Sequence, residues 1–292
     1  MACQSMSIVE KSMTKLFTIV AAAAMTFCIS SASQAQDAKR SITKVAGDVY
    51  RFQNNFHHSL VTVTNAGVVV VDPINEAAAT WLRANLKQIT DKPITHLIYS
   101  HSHGDHASGG KALLSNGTAV IAHANALKEI DGVKPTMTFA DTKSLKVGGK
   151  TFEMTWLGEG HGKDLIAVVV RPENVAFITD AASPKRLPYR DMPRSNIDGW
   201  INQVKKLESL DFKIFAPAHG SIGTKADTMQ VRTYMERLRE RVLAGLKSGK
   251  SVDDLVTTVT MPEYKDWQQY KSWLEPNVRG MARFLTESGQ VK

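Results

Sequence analysis

Cysteine is almost missing from this chain, and both copies, Cys3 and Cys28, fall within the first 35 residues. The remainder therefore has neither disulfides nor thiolate ligands. Beyond that N-terminal segment no stretch approaches the ~18 apolar residues needed to cross a bilayer. Low-complexity linkers are absent as well, and so is any block of mixed basic and aromatic residues of the kind nucleic-acid binders carry. The formal net charge is +8, but the lysines and arginines are interleaved with acids, as in Arg237-Leu-Arg-Glu-Arg241. Such a pattern reads as a solvated basic surface that favours anionic ligands, not as a nucleic-acid site.

The first 35 residues have the layout of a secretory signal peptide. Lys11 and Lys15 supply positive charge, Leu16 to Phe27 form a short apolar core, and Ser33-Gln-Ala35 offers the small residues of a cleavage site. The segment is too short and wrongly flanked for a spanning helix, and Cys28 lacks the small residues that a lipid-anchor site places before it. The expectation is cleavage near Ala35 and a periplasmic or secreted mature protein with no membrane span after leader removal, a retained N-terminal anchor being the alternative, and Met6 and Met13 alternative starts. The leader holds one net positive charge (Lys11 and Lys15 against Glu10), so the rest carries +7.

The remainder, at 43% hydrophobic and 22% charged over the whole chain, has the balance of a soluble globular protein. Val49 to Phe52 and Ser59 to Thr64 read as paired strands joined by a polar connection, Asn54 to His58. Val68-Val-Val-Val71 reads as a strand covered on both faces, followed by a helix over 75–89 with Ala78, Leu82, Leu86 and Ile89 on one side. Further strands are expected at 94–100, 118–122, 150–156, 164–170, 174–179 and 213–216, and helices from about 107, at 124–130 and at 198–210. The chain turns helical from about Lys225, with more helix near 251–255 and 265–284. Strands separated by helices in two successive halves predict an α/β fold with two sheets packed face to face and helices outside. The expected organisation is a leader at 1–35, a catalytic domain at 36–225, and a helical extension at 226–292 packed on the same domain.

Residues 101–106 read His-Ser-His-Gly-Asp-His, three of the nine histidines in six positions. They follow an apolar, β-branched run and precede a glycine-rich turn, so a rigid edge aims three imidazoles and a carboxylate at one point. These are the ligand types zinc takes when thiolates are absent. His161 in Gly158-Glu-Gly-His161, Asp180 after the 174–179 strand, and His219 in Ala216-Pro-Ala-His-Gly220 each lie just past a predicted strand. Open α/β sheets place ligands at the carboxyl ends of strands, so the whole set is expected to meet in one cleft.

With these residues in place, the chain resembles the metallo-β-lactamase-fold superfamily of zinc hydrolases over about residues 43–225. The resemblance implies a four-layer αββα sandwich. It also implies two Zn2+ per chain, with His101, His103 and His161 on the first, Asp105, His106 and His219 on the second, and Asp180 bridging. Iron or manganese suits the added carboxylate too. Asp105 would be the catalytic residue that orients a metal-bound hydroxide and helps protonate the leaving group. The cysteine-containing β-lactamase subclass has Cys where this chain has Asp180, and seven ligands including Asp180 is the pattern of glyoxalase-type thioesterases, lactonases and related phosphodiesterases. The implied activity is hydrolysis of a small ester, thioester, lactone or amide. The alternatives are a β-lactamase, a phosphodiesterase, or a non-catalytic metal- or cofactor-handling protein of the cell envelope. The partner expected is a small-molecule substrate and no nucleic acid, with the oligomeric state left open. Asp72 resembles a recurrent superfamily aspartate that supports the ligand loop. His57 and His58 lie where the superfamily carries a substrate-covering hairpin, and Lys185 and Tyr189, with Arg186 and Arg190, rim the cleft after Asp180. Those four positions, His57, His58, Lys185 and Tyr189, are the expected substrate contacts.

Overall fold

The run Val68-Val-Val-Val71 is apolar on both sides of its strand, and the computed structural model, which describes residues 38–291, buries all four side chains. The expected leader lies outside the described residues. The first sheet holds seven strands in sequence order: β1 (Arg40–Ala46), β2 (Val49–Asn54), β3 (His57–Thr64), β4 (Gly67–Val71), β5 (Ile94–Ile98), β6 (Ala119–His123) and β7 (Met137–Phe139). Pairing is antiparallel from β1 to β4 and parallel from β4 onward. Parallel neighbours need crossover connections, and three helical segments supply them: α1 (Glu76–Asn85), α2 (Gly104–Ala107) and α3 (Ala126–Glu129). Asn75 caps α1 by accepting from the Ala78 amide.

The second sheet holds β8 (Thr142–Val147), β9 (Lys150–Trp156), β10 (Ile166–Arg171), β11 (Val175–Ile178), β12 (Ile214–Pro217) and β13 (Gly223–Thr224) in the order β13-β12-β11-β10-β9-β8. Between β11 and β12 runs α4 (Ile197–Ser209), and after β13 come α5 (Lys225–Lys247), α6 (Val252–Thr258) and α7 (Tyr270–Glu287). Three apolar clusters sort these elements into four layers. Leu60, Val69, Val71 and Ile98 of the first sheet meet Phe152, Val168 and Phe177 of the second. The opposite face of the first sheet packs on Ala78, Ala79 and Leu82 of α1. The opposite face of the second sheet packs on Trp200 and Val204 of α4, Tyr234 and Leu238 of α5, Leu255 of α6, and Met281 and Leu285 of α7. This is an αββα sandwich in which the C-terminal helices share one core with α4. Among the described residues no helix is long and apolar enough to cross a membrane.

Four strands escape sequence patterning, all of them at sheet edges: β1, β7 and β8 have little or no fully buried face, so their apolar alternation is weak, and β13 is only two residues long. The polar connection expected before Ser59 is also shorter than anticipated. The turn is only Asn55-Phe56, with Asn55 in the left-handed region, and His57 and His58 belong to β3. The helix expected from about residue 107 is instead the short α2 followed by a 3-10 turn at Gly110–Leu113. Gly109 between them has φ +78°, and any Cβ there would strike the backbone of Asn75 and Glu76.

Candidate metal centre

Each residue of the hexapeptide leaves β5 at its carboxyl end, where Asp72, just past β4, lies alongside. Asp72 is fully buried and sits in the left-handed region at φ +63°, a costly conformation for a non-glycine residue. Its carboxylate accounts for the strain: it accepts from the Ser100 amide and the Ser100 hydroxyl, both at 2.7 Å, and from His106 Nδ1 at 2.9 Å. Ser100 Oγ, having spent its proton on Asp72, accepts from His101 Nδ1 at 3.0 Å. His219 Nδ1 donates to the Phe56 carbonyl at 3.2 Å. Three imidazoles are thereby anchored through Nδ1, with Nε2 aimed into the cleft as the atom a metal can take.

These Nε2 atoms face one another: His106 Nε2 and His219 Nε2 are 3.2 Å apart. His219 Nε2 lies 3.1 Å and His106 Nε2 3.3 Å from Asp180 Oδ1, and Asp105 Oδ2 stands 3.8 Å from His219 Nε2 and 3.6 Å from His106 Nε2. On the other side, His161 Nε2 is 3.2 Å from His103 Nδ1 and 3.1 Å from Asp180 Oδ2, and His101 Nε2 is 3.4 Å from that oxygen. Two four-donor groups result, His101–His103–His161–Asp180 and Asp105–His106–Asp180–His219. Ligands about 2.0–2.1 Å from a tetrahedral zinc stand about 3.3 Å from one another; the separations above, 3.1–3.4 Å in the first group and 3.1–3.8 Å in the second, are close to that spacing. His101 Nε2 and Asp180 Oδ1 are buried without a hydrogen-bond partner among the described residues, a loss that a cation between the donors would repair. The donor set fits two divalent ions.

The electrostatics agree. Burial, reinforced by the neighbouring His106, holds His101 down at about 3, so its Nε2 lone pair is available at any ordinary pH. Burial also pushes His106 down, but Asp180 and Asp72 outweigh it and raise His106 well above the ordinary imidazole value. Asp180 is held well below the carboxylate range despite its burial, because His106, His219 and His101 surround it. A buried anion that draws protons onto its neighbours has the field a metal ion answers. Asp105 is more exposed, at the mouth, and His57 Nε2 lies 3.3 Å from its Oδ2.

The elements that carry the other donors are locked to the first sheet. Ile166 of β10 donates to the Ser100 carbonyl, His58 of β3 donates to the Ala218 carbonyl, and Arg51 of β2 donates to the Gly220 carbonyl at 3.0 Å. On the far side, the His161 amide donates to Gln203 Oε1 at 2.8 Å while Gln203 Nε2 donates to the Gly158 carbonyl at 2.7 Å. Trp200 packs its ring against His161, 4.6 Å between centroids.

All seven expected ligands come together. The expected substrate contacts do so only in part. His57 points into the mouth. His58 is buried, donates from Nδ1 to the Ala218 carbonyl at 3.0 Å, and cannot line the cleft; its position in β3 turns it inward. Lys185 is exposed and its amine makes no hydrogen bond or ion pair among the described residues, and Tyr189 packs edge-on against Trp273 of α7. Ser100, Arg51 and Gln203 were not singled out. Only Gln203 had a signal, a lone amide on the apolar face of α4 between Trp200 and Leu207. His123 stacks on Trp156 and bonds the Ala140 carbonyl, and His96 contacts Thr95, both outside the donor groups.

An αββα sandwich with paired His/Asp donor groups at the carboxyl edges of its sheets defines a class of metal-binding proteins. A family profile described as the metallo-beta-lactamase superfamily matches residues 55–219, more than half of the chain, and the chain belongs to that superfamily. Among its relatives, the 2,4-dinitroanisole O-demethylase subunit alpha of Nocardioides sp. (strain JS1661) is 25% identical over 60% of this chain and 56% of that protein. The chain thus spans about half the length of that relative. Metallo-beta-lactamase IND-1 of Chryseobacterium indologenes is 27% identical over 56% of this chain and 71% of its own. Solved structures share the fold. A metallo-beta-lactamase from Pontibacter korlensis superposes with TM-score 0.59 at 20% identity, covering 68% of this chain and 99% of that one. The stereoselective inverting sec-alkylsulfatase of a Pseudomonas species gives TM-score 0.71 at 15% identity over 84% of this chain and 50% of that one.

Proposed function

We propose that this protein is an exported hydrolase that holds two zinc ions and cleaves a small ester, thioester, lactone or amide. The division of Asp180 carries the reading: Oδ2 faces His101 and His161 while Oδ1 faces His106 and His219, one oxygen for each donor group. One ion would be held by His101, His103 and His161, the second by Asp105, His106 and His219, with Asp180 between. When bound, such ions supply Lewis acidity and bring the pKa of a coordinated water to about 7. The donors themselves, nitrogen and oxygen without sulfur, also accommodate iron or manganese.

The chain's own residues would do the rest. Asp105, steadied by His57 at 3.3 Å, would orient the attacking water, accept the proton that water gives up and pass it to the leaving group. Asp72 and Ser100 keep His101 and His106 in the tautomers that bind metal. The leader supports export with cleavage near Ala35, to be checked by N-terminal sequencing of the protein recovered outside the cytoplasm.

Elemental analysis of the purified chain tests the site: about two ions per chain are expected, about one in His101→Ala, and at most one in Asp180→Ala. Full occupancy in either variant would sink the assignment. A second reading, hydrolysis of β-lactam antibiotics, draws on relatives named as metallo-beta-lactamases. Turnover of a chromogenic cephalosporin beside ester, thioester and lactone substrates separates the two. Cephalosporin turnover no faster than in the metal-stripped protein removes the second reading.

A further inference from the structure

The loop that leaves Asp180 carries an arginine with no internal partner. Arg186 is half-buried, its Cζ lies 4.9 Å from the Trp273 ring centroid, and its backbone is bridged to Gln268. Among the described residues no carboxylate lies within ion-pair distance of its guanidinium and no acceptor takes a hydrogen bond from it. Several arginines differ: Arg171, Arg232, Arg239 and Arg283 each reach a carboxylate at 2.6–2.9 Å. The Arg186 stem lies against the turn after His219, since a Cβ on Gly220 would stand 3.8 Å from Arg186 Cδ. Burial lowers the guanidinium's pKa from its ordinary value, and the negative charge of Asp180 opposes that effect. The side chain is therefore fixed on an aromatic platform from α7, beside the donor group of the second ion, with its hydrogen-bond donors unspent.

A planar guanidinium in that state matches an oxyanion, which it can take bidentately, and partial burial strengthens the contact. The cleft is suited to one. Two divalent ions outweigh the carboxylates Asp105 and Asp180, and the chain as a whole carries +8. Of the flanking positions, Lys185 is exposed and Tyr189 packs edge-on against Trp273.

Resting on the hydrolytic reading above, we propose that Arg186 is the specificity-determining residue of the site and binds an oxyanion substituent (carboxylate, sulfonate-like or phosphate-like) of a small anionic substrate. Arg186 thereby orients that substrate so that its scissile bond lies over the paired donor groups.

The test is equilibrium binding to the metal-loaded full chain of three non-hydrolysable probes that share one ring: phenylacetate, benzylsulfonate and benzylphosphonate. At least one should bind the wild type and bind R186Q about tenfold or more weakly, with R186K intermediate because a point charge loses the bidentate fit. The probe with the largest loss identifies the group. Equal affinities in wild type and R186Q for all three probes overturn the proposal, as does the absence of measurable binding to the wild type. Metal content is measured on the same samples. A metal-loaded chain with unchanged binding in R186Q refutes Arg186 alone, whereas a wild type that holds no metal refutes the hydrolytic reading and the proposal together. Should R186Q fail to fold, R186K carries the comparison: a loss of about threefold or more is expected, and none overturns the assignment.

Discussion

Among single residues, Asp72 shows how much of this site lies behind the ligands. It touches no metal position, yet it satisfies the Ser100 amide, the Ser100 hydroxyl and His106 Nδ1 at once. Asp72→Asn would turn one acceptor oxygen into a donor facing either Ser100 or His106. The expected result is a loss of about 10–100-fold in metal affinity, read by competition with a chromophoric chelator. Unfolding free energy should drop by about 1–3 kcal/mol, because buried donors are left unpaired. Unchanged metal affinity would show that the tautomers are set elsewhere. Most of the ligands were legible because histidine is scarce and the strands before them are strongly apolar. Their partners were not, because Ser100 and Gln203 are ordinary residue types whose roles depend on what folds beside them.

At the scale of elements, the donor set depends on how closely α4 approaches the loop that carries His161. Gly199, in the first turn of α4, leaves no room for a side chain: a Cβ there would stand 2.2 Å from the Glu159 carbonyl oxygen. The Asn196 carbonyl receives the Trp200 amide in the same turn, and Trp200 backs the His161 ring. Gly199→Ala should push helix and loop apart, destabilising the fold by about 1–3 kcal/mol and lowering occupancy of the His101–His103–His161 group. Thermal denaturation and elemental analysis would check this, and a variant with wild-type metal content would show that the loop can shift without moving His161. The spacing of α4 was legible from its apolar face, whereas the edge strands β1, β7 and β8 were not, since an exposed strand writes no strong alternation into the sequence.

For the whole molecule, the two sheets are registered beside the cleft by β3 and the segment after β12. His58 joins them through its amide and its Nδ1, both donated to the Ala218 carbonyl. Burial, followed by the nearby Arg51 charge, lowers His58 to about 4 from an ordinary 6.5. A depressed histidine binds protons more readily unfolded than folded, so its contribution is fully present above pH 6.5 and is lost as pH falls toward 4. Denaturant midpoints should therefore drop through that window in the wild type and drop less in His58→Gln. Parallel curves would assign the acid sensitivity to other groups.

The sequence by itself determined the donor residues, the order of strands and helices that carries them, and the superfamily resemblance, because hydrophobic period and scarce residue types are local properties. Tertiary structure decided which oxygen of Asp180 faces which histidines, which ring nitrogen each imidazole presents, and that His58 turns inward while Arg186 lies over Trp273. Those outcomes arise from contacts between segments far apart in the chain, made only when two sheets close on one another. No periodicity along a single strand records them.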